Sequence, residues 1–482
     1  MRYFIITLLI LGPLYSISQD WTEPVVIYGE GVNFNPSYTI DRNGIIHCVW
    51  SHEIETDFHK IYYSKSEDEG LTWSTPIDIA LNDSLRLDEP EIVSDSNNFL
   101  YVSYSYNVAS IPSTMIYLQI FDGTAWGSPV VISEGYPGSW GSRLVIDNEN
   151  KIYCFWYHPS NGGTICYRLL ENNTWSSIFQ IFSGSSDYYY FHMGVADSFN
   201  ILHCVGYHYY QGQTSDNKRV IYFTYANNTW SGFTEVSTEA PYWGLEIDLT
   251  TSDQPVSVWV QKTGGTGPGA NGVFISYLNN GSWSPPECIA DSANFSTFTI
   301  DSNNKYHIVD IERPENFVYQ LVYYTKIDQI WERTILESSG LFISDNILHA
   351  CDSSLYLIYT RRNVLNTNRY PDNSVLFRRK DLVTEHEKID FNDNIKIYPN
   401  PVSDQVTIEF NLFEKTQIHV RIMDLFGNIV FSEIIQNPLL GSNRYYININ
   451  EFNGNILSNG PYFLWFYSQK KEISVIKKIV IK

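Results

Sequence analysis

Short stretches of alternating hydrophobic and polar residues fill most of this chain, and polar turns separate them. The clearest example runs from Tyr38 to Trp50, where two alternating segments flank an Asp/Asn/Gly turn at residues 41–44. This pattern predicts an antiparallel hairpin, and it returns at residues 145–156 and 299–309. A second pair of alternating segments, as in residues 61–79, has a polar turn followed by tryptophan. The chain is therefore predicted to be all-β.

Seven tryptophans recur at nearly constant spacing. The intervals are 52, 53, 49, 55, 53 and 48 residues, and the tryptophans are Trp21, Trp73, Trp126, Trp175, Trp230, Trp283 and Trp331. A period of about 50 residues built from short strands is typical of β-propeller blades. The spacing predicts a seven-bladed β-propeller over residues 19–383.

The two ends of this repeat pattern are incomplete in complementary ways. Residues 20–27 have the pattern of a fourth strand but precede every first strand, whereas the last repeat, at residues 355–379, lacks its tryptophan strand. We expect the N-terminal strand to complete the last repeat, because pairing there removes two open sheet edges.

A different pattern begins after Asp381. A polar, charged linker is predicted at residues 384–394, and new alternating apolar segments fill residues 395–482. This alternation predicts a small antiparallel β-sandwich.

The composition narrows the class of protein. Of the 482 residues, 43% are hydrophobic and 16% aromatic, which is enough to bury a core, and the formal net charge is −22. That charge repels phosphate backbones and anionic lipids, so we expect no nucleic-acid partner. The alternative is that the negative charge serves solubility alone.

The N-terminus has the pattern of a secretory signal peptide, predicted at residues 1–18. Arg2 precedes an apolar run from Phe4 to Leu11, and small residues follow at Ser16 and Ser18. The run is too short to span a bilayer, and no other stretch approaches 18 apolar residues. We therefore expect an exported protein without a membrane-spanning segment in its mature form.

The six cysteines are interpreted mainly as buried apolar side chains. Cys48, Cys154 and Cys204 occupy one position of the repeat, so they should enter separate cores rather than pair. Cys166, Cys288 and Cys351 have no evident partners, and one disulfide among them is left open. No spacing matches a zinc site, and no metal or cofactor is predicted.

The turn at residues 66–73 has the sequence Ser-Glu-Asp-Glu-Gly-Leu-Thr-Trp. It matches S-x-D-x-G-x-T-W, and the chain thereby resembles the sialidase-like propellers with BNR repeats, whose Asp-box has this motif. The resemblance covers roughly residues 20–383 and implies the fold. In that family the box is structural, a role carried here by Ser66, Asp68, Gly70, Thr72 and Trp73. We expect Asp68 to accept backbone hydrogen bonds and Gly70 to have a positive φ.

Three motifs near the C-terminus, at residues 397–410, 420–430 and 460–463, precede the basic end at residues 477–482. Together they resemble the C-terminal sorting domain of the type IX secretion system of Bacteroidota. The resemblance implies that the secretion machinery is a partner and that the protein is released or attached to the outer cell surface. The alternative is an ordinary adhesive Ig-like domain.

Loops that enter the first strand and leave the second strand of each propeller blade meet on one face, which is the default ligand site. The residues predicted to end the second strands are all polar or have a polar tip: His52, Tyr106, His158, His208, Gln261, Glu312 and Arg361. Predicted entry loops add Asp88, Glu89, Trp140, Arg143, the run from Tyr188 to His192, Trp243 and Glu246. Trp156 lies just inside the strand ends.

Rings beside carboxylates and amides suit carbohydrate, because sugar C–H faces pack on rings while hydroxyls need directed partners. The candidate ligand-binding residues are His52, Tyr106, Trp140, Arg143, Trp156, Trp243, Glu246 and Gln261. The alternative is that the rings are blade packing, the polar groups a solvated rim, and His52, His158 and His208 structural.

Three functions compete. The first is glycan binding without catalysis, which we favour. The second is a polysaccharide lyase with His158 or His208 as base, a tyrosine as acid, and Arg143, Gln261 or Arg361 offsetting a uronate. The third is a glycoside hydrolase that pairs Asp88 or Glu89 with Glu312. The catalytic candidates are thus His158, His208, Glu312 and Arg361.

The resemblance also implies a test for sialidase activity. A sialidase clamps its substrate with three arginines, one of which stands on the first strand of the first blade. Ser37, Tyr38 and Thr39 occupy that strand here, which argues against a true sialidase.

Overall fold

The computed structural model describes two compact units of this chain, residues 1–383 and residues 384–482. The described residues are 21–55, 58–80, 86–108, 113–159, 163–182, 187–210, 218–237, 239–241, 244–263, 271–291, 293–315, 318–327, 329–351, 353–362, 373–382, 395–412, 417–425, 429–435, 438, 441–449, 457–468 and 474–482. The predicted signal peptide, the predicted linker and Trp243 lie outside them. Every regular element in the described ranges is a β-strand, as the sequence predicts.

The first unit consists of a short strand, β1 (Val25–Tyr28), followed by seven groups of antiparallel strands that we call repeats 1 to 7. Repeat 1 contains β2 (Val32–Ile40), β3 (Ile46–Glu55), β4 (Phe58–Ser66) and β5 (Ile77–Asp78). Repeat 2 contains β6 (Arg86–Ser94), β7 (Leu100–Val108), β8 (Ser113–Phe121) and β9 (Val130–Val131). Repeat 3 contains β10 (Trp140–Ile146), β11 (Ile152–His158), β12 (Thr164–Glu171), β13 (Thr174–Trp175) and β14 (Phe179–Ile181).

The remaining repeats have the same order of strands. Repeat 4 contains β15 (Tyr188–Ala196), β16 (Leu202–Tyr209), β17 (Lys218–Ala226), β18 (Thr229–Trp230) and β19 (Thr234–Glu235). Repeat 5 contains β20 (Glu246–Leu249), β21 (Pro255–Lys262), β22 (Asn271–Asn279), β23 (Ser282–Trp283) and β24 (Glu287–Ala290). Repeat 6 contains β25 (Ser296–Ile300), β26 (Tyr306–Glu315), β27 (Val318–Ile327) and β28 (Ile330–Ser339), and repeat 7 contains β29 (Ile343–Cys351), β30 (Ser354–Arg362) and β31 (Asn373–Asp381).

Strand β1 completes repeat 7, which confirms the expected pairing of the N-terminal strand. It runs antiparallel to β31, with Val25 opposite Phe377. The preceding residue Thr22 extends the contact, because its backbone N–H donates to the carbonyl of Arg379 at 2.8 Å and its hydroxyl accepts the Arg379 N–H at 2.9 Å. Two segments separated by the whole first unit therefore belong to one sheet.

The first strands of the repeats pack on one another in chain order. Each contacts the next from β2 through β6, β10, β15, β20 and β25 to β29, and β29 contacts β2. Several of these strands contain a bulge near their start, for example between Phe34 and Ser37 in β2 and between Asp88 and Glu91 in β6. Strands β2, β6, β10, β15, β20 and β29 line a cavity of about 770 Å³. We call the end where first strands begin and second strands end the entry end.

The opposite end carries the hairpin turns between first and second strands, and side chains tie each turn to the next. The carboxylate of Asp41 accepts backbone N–H groups of Asn43 and Ile45, both at 2.9 Å, which holds the turn in shape. Arg42 N–H then donates to the side chain of Asn98 in the next turn at 3.1 Å. Equivalent bonds join Ser96 to Asn150, Asn148 to Asn200, Ser198 to Asp253 and Thr251 to Asn304.

Buried histidines reinforce three of these turns. In repeat 6 the ring of His307 lies between Tyr323, whose hydroxyl is 2.7 Å from Nδ1, and Asp301, whose carboxylate is 3.2 Å from Nε2. The same arrangement forms in repeats 1 and 4 around His47 and His203. These histidines are structural, since both ring nitrogens contact groups of the turn or the adjacent strand.

The regular tryptophan spacing follows from packing between neighbouring repeats. Trp126 of repeat 2 contacts Tyr63 of repeat 1 edge-on, at 5.3 Å between ring centroids. Trp283 makes the same contact with Tyr222, and Trp21 with Tyr323, again in each case with the preceding repeat. One tryptophan per repeat therefore covers the core between two sheets.

Residues 66–73 form a turn held by its own side chains. Asp68 accepts hydrogen bonds from the backbone and the hydroxyl of Thr72, at 2.8 and 2.6 Å. The Ser66 hydroxyl accepts the Gly70 N–H at 2.8 Å, and Trp73 Nε1 donates to the Gly70 carbonyl at 3.2 Å. Gly70 has φ of +88°. The hydrogen bonding expected of Asp68 and the expected backbone of Gly70 are both confirmed.

None of the six cysteines forms a disulfide. Cys48, Cys154 and Cys204 are fully buried, as predicted, and Cys166 is buried as well. Cys288 is exposed and Cys351 half-buried, and neither forms a disulfide. The open question of one bridge is thereby answered, because all six residues lie in the described ranges.

The second unit has two antiparallel sheets around one core. The strands are β32 (Lys396–Tyr398), β33 (Gln405–Leu412), β34 (Ile418–Met423), β35 (Ile429–Ile435), β36 (Gly441–Asn448), β37 (Gly460–Ser468) and β38 (Ser474–Ile481). One sheet has the order β32-β33-β36 and the other β35-β34-β37-β38. Phe410 of the first sheet packs on Phe466 of the second, with 4.8 Å between ring centroids.

Candidate functional site

The predicted residues at the ends of the second strands lie where the sequence puts them, but most are not open to solvent. The side chains of His52, His158, His208, Gln261 and Glu312 are 2–8% exposed, and Trp156 is fully buried. Tyr106 and Arg361 are half-buried. Most of this set is thus buried in the sheets of the repeats, and the role of these residues in binding or catalysis stays a prediction.

The histidines of this set contact their own neighbourhoods. His208 Nε2 lies 3.0 Å from the carboxylate of Asp187, and its ring stacks on Tyr189. His158 Nδ1 is 3.4 Å from the Ser139 hydroxyl. His52 Nδ1 is 2.9 Å from the side-chain oxygen of Asn33, which also accepts from Trp50. These contacts agree with the structural alternative for the three histidines.

The charged members of the set form ion pairs, Glu312 within its own repeat and Arg361 with a residue of repeat 6. Arg333 Nη2 donates to Glu312 at 2.7 Å, and the Tyr324 hydroxyl also donates to this carboxylate. Arg361 is bound to Glu337 at 2.7 Å. The Gln261 side-chain oxygen accepts from Trp259 at 3.0 Å. Glu312 and Gln261 are thus bound by neighbours in their own sheets, whereas Arg361 binds the adjacent sheet and its Nε has no hydrogen-bond partner among the described residues.

The acidic pair required for glycoside hydrolysis is also engaged elsewhere. Asp88 in β6 lies 2.6 Å from His59 Nδ1 and accepts from Arg86 at 2.5 Å, while Glu312 belongs to repeat 6. Glu89 lines the 770 Å³ cavity, whereas Glu312 does not. Among the described residues, no hydrogen bond or ion pair joins Asp88 or Glu89 to Glu312.

Charged side chains from the first strands meet in the wall of the 770 Å³ cavity. Arg143 and Glu246, two of the predicted ligand-binding residues, both line it. Glu91 does so as well, and its carboxylate lies 3.5 Å from Arg143 Nη1. His192, from the predicted entry run, completes this part of the wall.

Burial changes the protonation of these groups. It raises the pKa of Glu246 to about 8 against the opposing attraction of Arg143, and the nearby carboxylates of Glu91 and Asp248 raise it further. Burial also lowers the pKa of His192 to about 3, to which the charges of Arg143 and Lys218 contribute. At neutral pH Glu246 is therefore a neutral acid and His192 a neutral imidazole.

A cluster of aromatic side chains lies beside these groups at the entry end. Trp140 packs on Tyr157 at 5.0 Å and on Tyr190 at 5.8 Å, and Tyr157 stacks on Tyr190 at 4.2 Å. Tyr190 in turn contacts Tyr209 at 5.2 Å. Trp140 is 42% exposed, so part of its ring faces solvent. We call Trp140, Tyr157, Tyr190 and Tyr209 the aromatic cluster.

Basic and phenolic groups continue the cluster into the interior. The Lys218 ammonium lies 4.8 Å from the ring centroid of Tyr207 and 5.4 Å from that of Tyr209. Burial and the charge of Lys262 lower the pKa of Lys218 to about 8. The ring of His192 contacts Tyr207 edge-on at 5.6 Å.

A second cavity of about 400 Å³ opens at the same end, and Trp140 forms one wall. Its other lining residues are mainly polar: Asn35, Arg86, Asp88, Glu89, Ser105, Asn107 and Thr114, with Phe34. The Ser105 hydroxyl has no hydrogen-bond partner among the described residues, although the residue is only 4% exposed. Such an orphaned group at a cavity wall is a natural partner for a ligand hydroxyl.

Sequence reasoning found Trp140, Arg143, Glu246 and the Tyr188–His192 run but missed Tyr157, Tyr207, Tyr209, Lys218 and Glu91. His158 and His208 were predicted because they end their strands. The adjacent residues Tyr157 and Tyr209 lie on the other face of those strands and belong to the aromatic cluster. A strict count of the two-residue alternation along β11 and β16 was the signal that could have found them.

Two features are absent from the described residues. No group of three or more His, Cys, Asp or Glu side chains there is arranged to hold a metal ion. No helix long and apolar enough to cross a membrane occurs there either.

Comparison with known proteins identifies the second unit. Residues 396–482 match the family model of the secretion system C-terminal sorting domain. The resemblance to the type IX sorting domain is confirmed, and the protein is secreted or displayed on the outer cell surface by that system. No curated protein matches the sequence.

The first unit is similar in fold to solved structures of very different sequence. A structure described as a new family of polysaccharide lyase, PL25 ulvan lyase, has 11% identity and a TM-score of 0.54, and the match covers 74% of this chain and 95% of that chain. A second structure of that lyase, bound to -[GlcA(1-4)Rha3S]-, has 11% identity, the same coverage and a TM-score of 0.52. The polysaccharide lyase Uly1 has 8% identity and a TM-score of 0.50, with 74% and 92% covered. At these identities the similarity shows the all-β fold of the first unit and no more.

Proposed function

We propose that residues 19–383 form a seven-bladed β-propeller that recognises an extracellular glycan at its entry end, and that residues 395–482 deliver it through the type IX system. The exposed ring of Trp140, in a cluster of four aromatic side chains beside a 400 Å³ polar cavity, is the observation that carries the proposal. A sugar ring needs both elements, since its C–H face packs on an aromatic ring and its hydroxyls need directed partners.

The count of seven blades is supported by how the repeats meet. The eight-stranded sheet of repeats 1 and 2 contains two antiparallel halves, joined by one parallel bridge between His59 and Arg86. The first strands contact one another in chain order and the last contacts the first. The hydrogen bonds within residues 66–73 support the proposal that this turn is an Asp-box of the sialidase-like type.

The test is binding of the purified protein to an array of extracellular polysaccharides, followed by titration calorimetry with the best ligand. Trp140→Ala should weaken binding by about two- to tenfold or more, because stacking on an aromatic ring contributes about 0.5–1.5 kcal/mol in addition to the apolar area that the ring covers. Phe199→Ala is the matched control, since Phe199 is 78% exposed in a hairpin turn at the opposite end. Equal binding by wild type and Trp140→Ala would place the site elsewhere.

A second candidate is a polysaccharide lyase at the same end. The observation that favours it is the neutral imidazole of His192, which lines the cavity together with Arg143 and contacts Tyr207. A lyase needs a base, an acid and a cation against the uronate, and these three side chains are of the required types. Incubation with uronate polysaccharides, followed by ultraviolet absorbance of the unsaturated product, tests for this activity. A lack of product across the panel leaves binding as the function.

A further inference from the structure

We infer that Arg143 and Glu246 form an anion subsite in the cavity wall, which selects a glycan bearing a carboxylate or a sulfate ester over a neutral one. The inference rests on the proposed function and adds the chemical class of the ligand. It concerns the part of the wall where β10, β15 and β20 meet, next to the aromatic cluster.

The first argument is the placement of Arg143. Its side chain is 36% exposed and lines the 770 Å³ cavity, while the Glu91 carboxylate lies 3.5 Å from Nη1. One further bond, from Nη1 to the Ser142 carbonyl at 2.9 Å, holds the group in place. A guanidinium has five N–H donors, and those two contacts leave donors for a planar anion.

The second argument is the state of the carboxyl group beside it. Glu246 lines the same cavity, and its ionised form would add a second negative charge to that of Glu91, which is already paired with Arg143. The groups that act on it are Arg143 from β10, Glu91 from β6, Asp248 from its own strand β20, and Tyr207 from β16. Burial and the two neighbouring carboxylates keep it protonated at neutral pH, so it donates a hydrogen bond rather than repelling the ligand.

The third argument is the pair of buried polar atoms behind this wall. The Tyr207 hydroxyl and His192 Nδ1 have no hydrogen-bond partner among the described residues, and Tyr207 is only 5% exposed. Native structures rarely leave buried polar groups unpaired without a functional reason. His192 lines the cavity, so an anion at Arg143 and Glu246, or its bound water, would give Nδ1 a partner.

The charge of the whole chain makes this local arrangement informative. A net charge of −22 disfavours polyanions at long range, so attraction of an acidic glycan must come from specific nearby groups. The charges of Arg143 and Lys218 both lower the pKa of His192, so two cations lie near this ring at the entry end.

The experiment compares oligogalacturonate, its carboxyl-reduced counterpart and a sulfated neutral oligosaccharide as ligands of the full chain. We expect the acidic ligand to bind at least tenfold more tightly than the reduced one at pH 7. Arg143→Gln should remove this preference, whereas Arg42→Gln, at the opposite end of the same cavity, should keep it. The sulfated ligand decides whether the subsite accepts a sulfate ester as well as a carboxylate.

The pH profile is the second readout. Binding of the acidic ligand should weaken between pH 7 and 9 as Glu246 ionises and Lys218, whose pKa is about 8, loses its charge. Glu246→Gln should bind at pH 7 and show a smaller decline, because the amide donates at every pH and only the loss of the Lys218 charge remains. Equal affinity for acidic and reduced ligands, with loss of both in Trp140→Ala, would overturn the subsite and keep the glycan site.

If none of these glycans binds, the monosaccharide galacturonate and inorganic sulfate are tested by thermal shift. Stabilisation of wild type but not of Arg143→Gln would then support the anion subsite without the glycan function. No stabilisation in either protein would overturn both proposals.

Discussion

Replacement of Gly70 by alanine adds one carbon atom, which should disturb the packing of repeat 1 against repeat 7. A Cβ at this residue would lie 1.9 Å from Cε1 and 2.3 Å from Cζ of Phe377, whose ring is buried and contacts Trp73 at 5.6 Å between centroids. Gly70 also has φ of +88°, a conformation that costs an L-residue roughly 1–2 kcal/mol. The ring must move, and overpacking of this kind costs about 1–3 kcal/mol more.

The matched control is Gly123→Ala in repeat 2. Gly123 occupies the corresponding turn, has φ of +90°, and a Cβ there meets no atom within 4 Å. Gly123→Ala should lose only the free energy of unfolding that the positive φ costs, so the difference in stability between the two variants measures the clash with Phe377. An unfolding entropy of about 2.1 cal/mol/K per residue over roughly 360 residues gives about 0.8 kcal/mol/K, so a clash of about 2 kcal/mol lowers the Tm by about 3 °C.

The assay is thermal unfolding followed by near-ultraviolet circular dichroism at one fixed scan rate. Gly70→Ala should melt about 3 °C below Gly123→Ala, and Phe377→Leu should recover part of that difference when combined with Gly70→Ala, because the smaller side chain leaves space. Equal Tm values for the two alanine variants would show that the Gly70 turn does not pack on repeat 7 as described.

Two further predictions concern stability. Burial lowers the pKa of His307 in the folded protein, so the unfolded chain binds a proton at a higher pH, near the ordinary histidine pKa of about 6.5. The Tm should therefore fall as the pH drops from 7 to 5, and His307→Gln should show a smaller decline. An identical decline would assign the acid sensitivity to other groups. Removal of residues 21–28 takes away β1 and the Thr22 bonds to Arg379, which exposes the edge of β31. Limited proteolysis should then cut near residues 373–381 much faster than in the full chain, and unchanged cleavage would mean that β1 does not protect this edge.

Most of the strand pattern was predictable because it is local. The Asp/Asn/Gly turn at residues 41–44 specifies a hairpin through one carboxylate and one left-handed residue, and the structure has that hairpin between β2 and β3. The pairing of residues 25–28 with the last repeat was also predictable, since it removes two open edges. The bulges in β2 and β6 were not, because they depend on packing between first strands.

The candidate site was predictable only in part. Trp140, Arg143 and Glu246 were found because entry loops carry ligand groups in many folds. His158 and His208 were chosen for their chemistry, yet their contacts with Ser139 and Asp187 occupy them inside their own repeats. A single sequence shows which side chains can act as acid, base or cation, but not which side of the strand faces the cavity.

The sequence by itself determined the all-β class, the repeat of about 50 residues, the change of pattern after residue 381 and the sorting motifs, because each depends on residues close together in the chain. Only the tertiary structure decided which polar groups meet. Glu91, Arg143 and Glu246 stand on strands β6, β10 and β20 of three repeats, and their shared burial, which makes Glu246 neutral, arises only when those strands pack side by side. Local sequence sets strand and turn, whereas desolvation and charge coupling depend on distances between residues that are far apart in the chain.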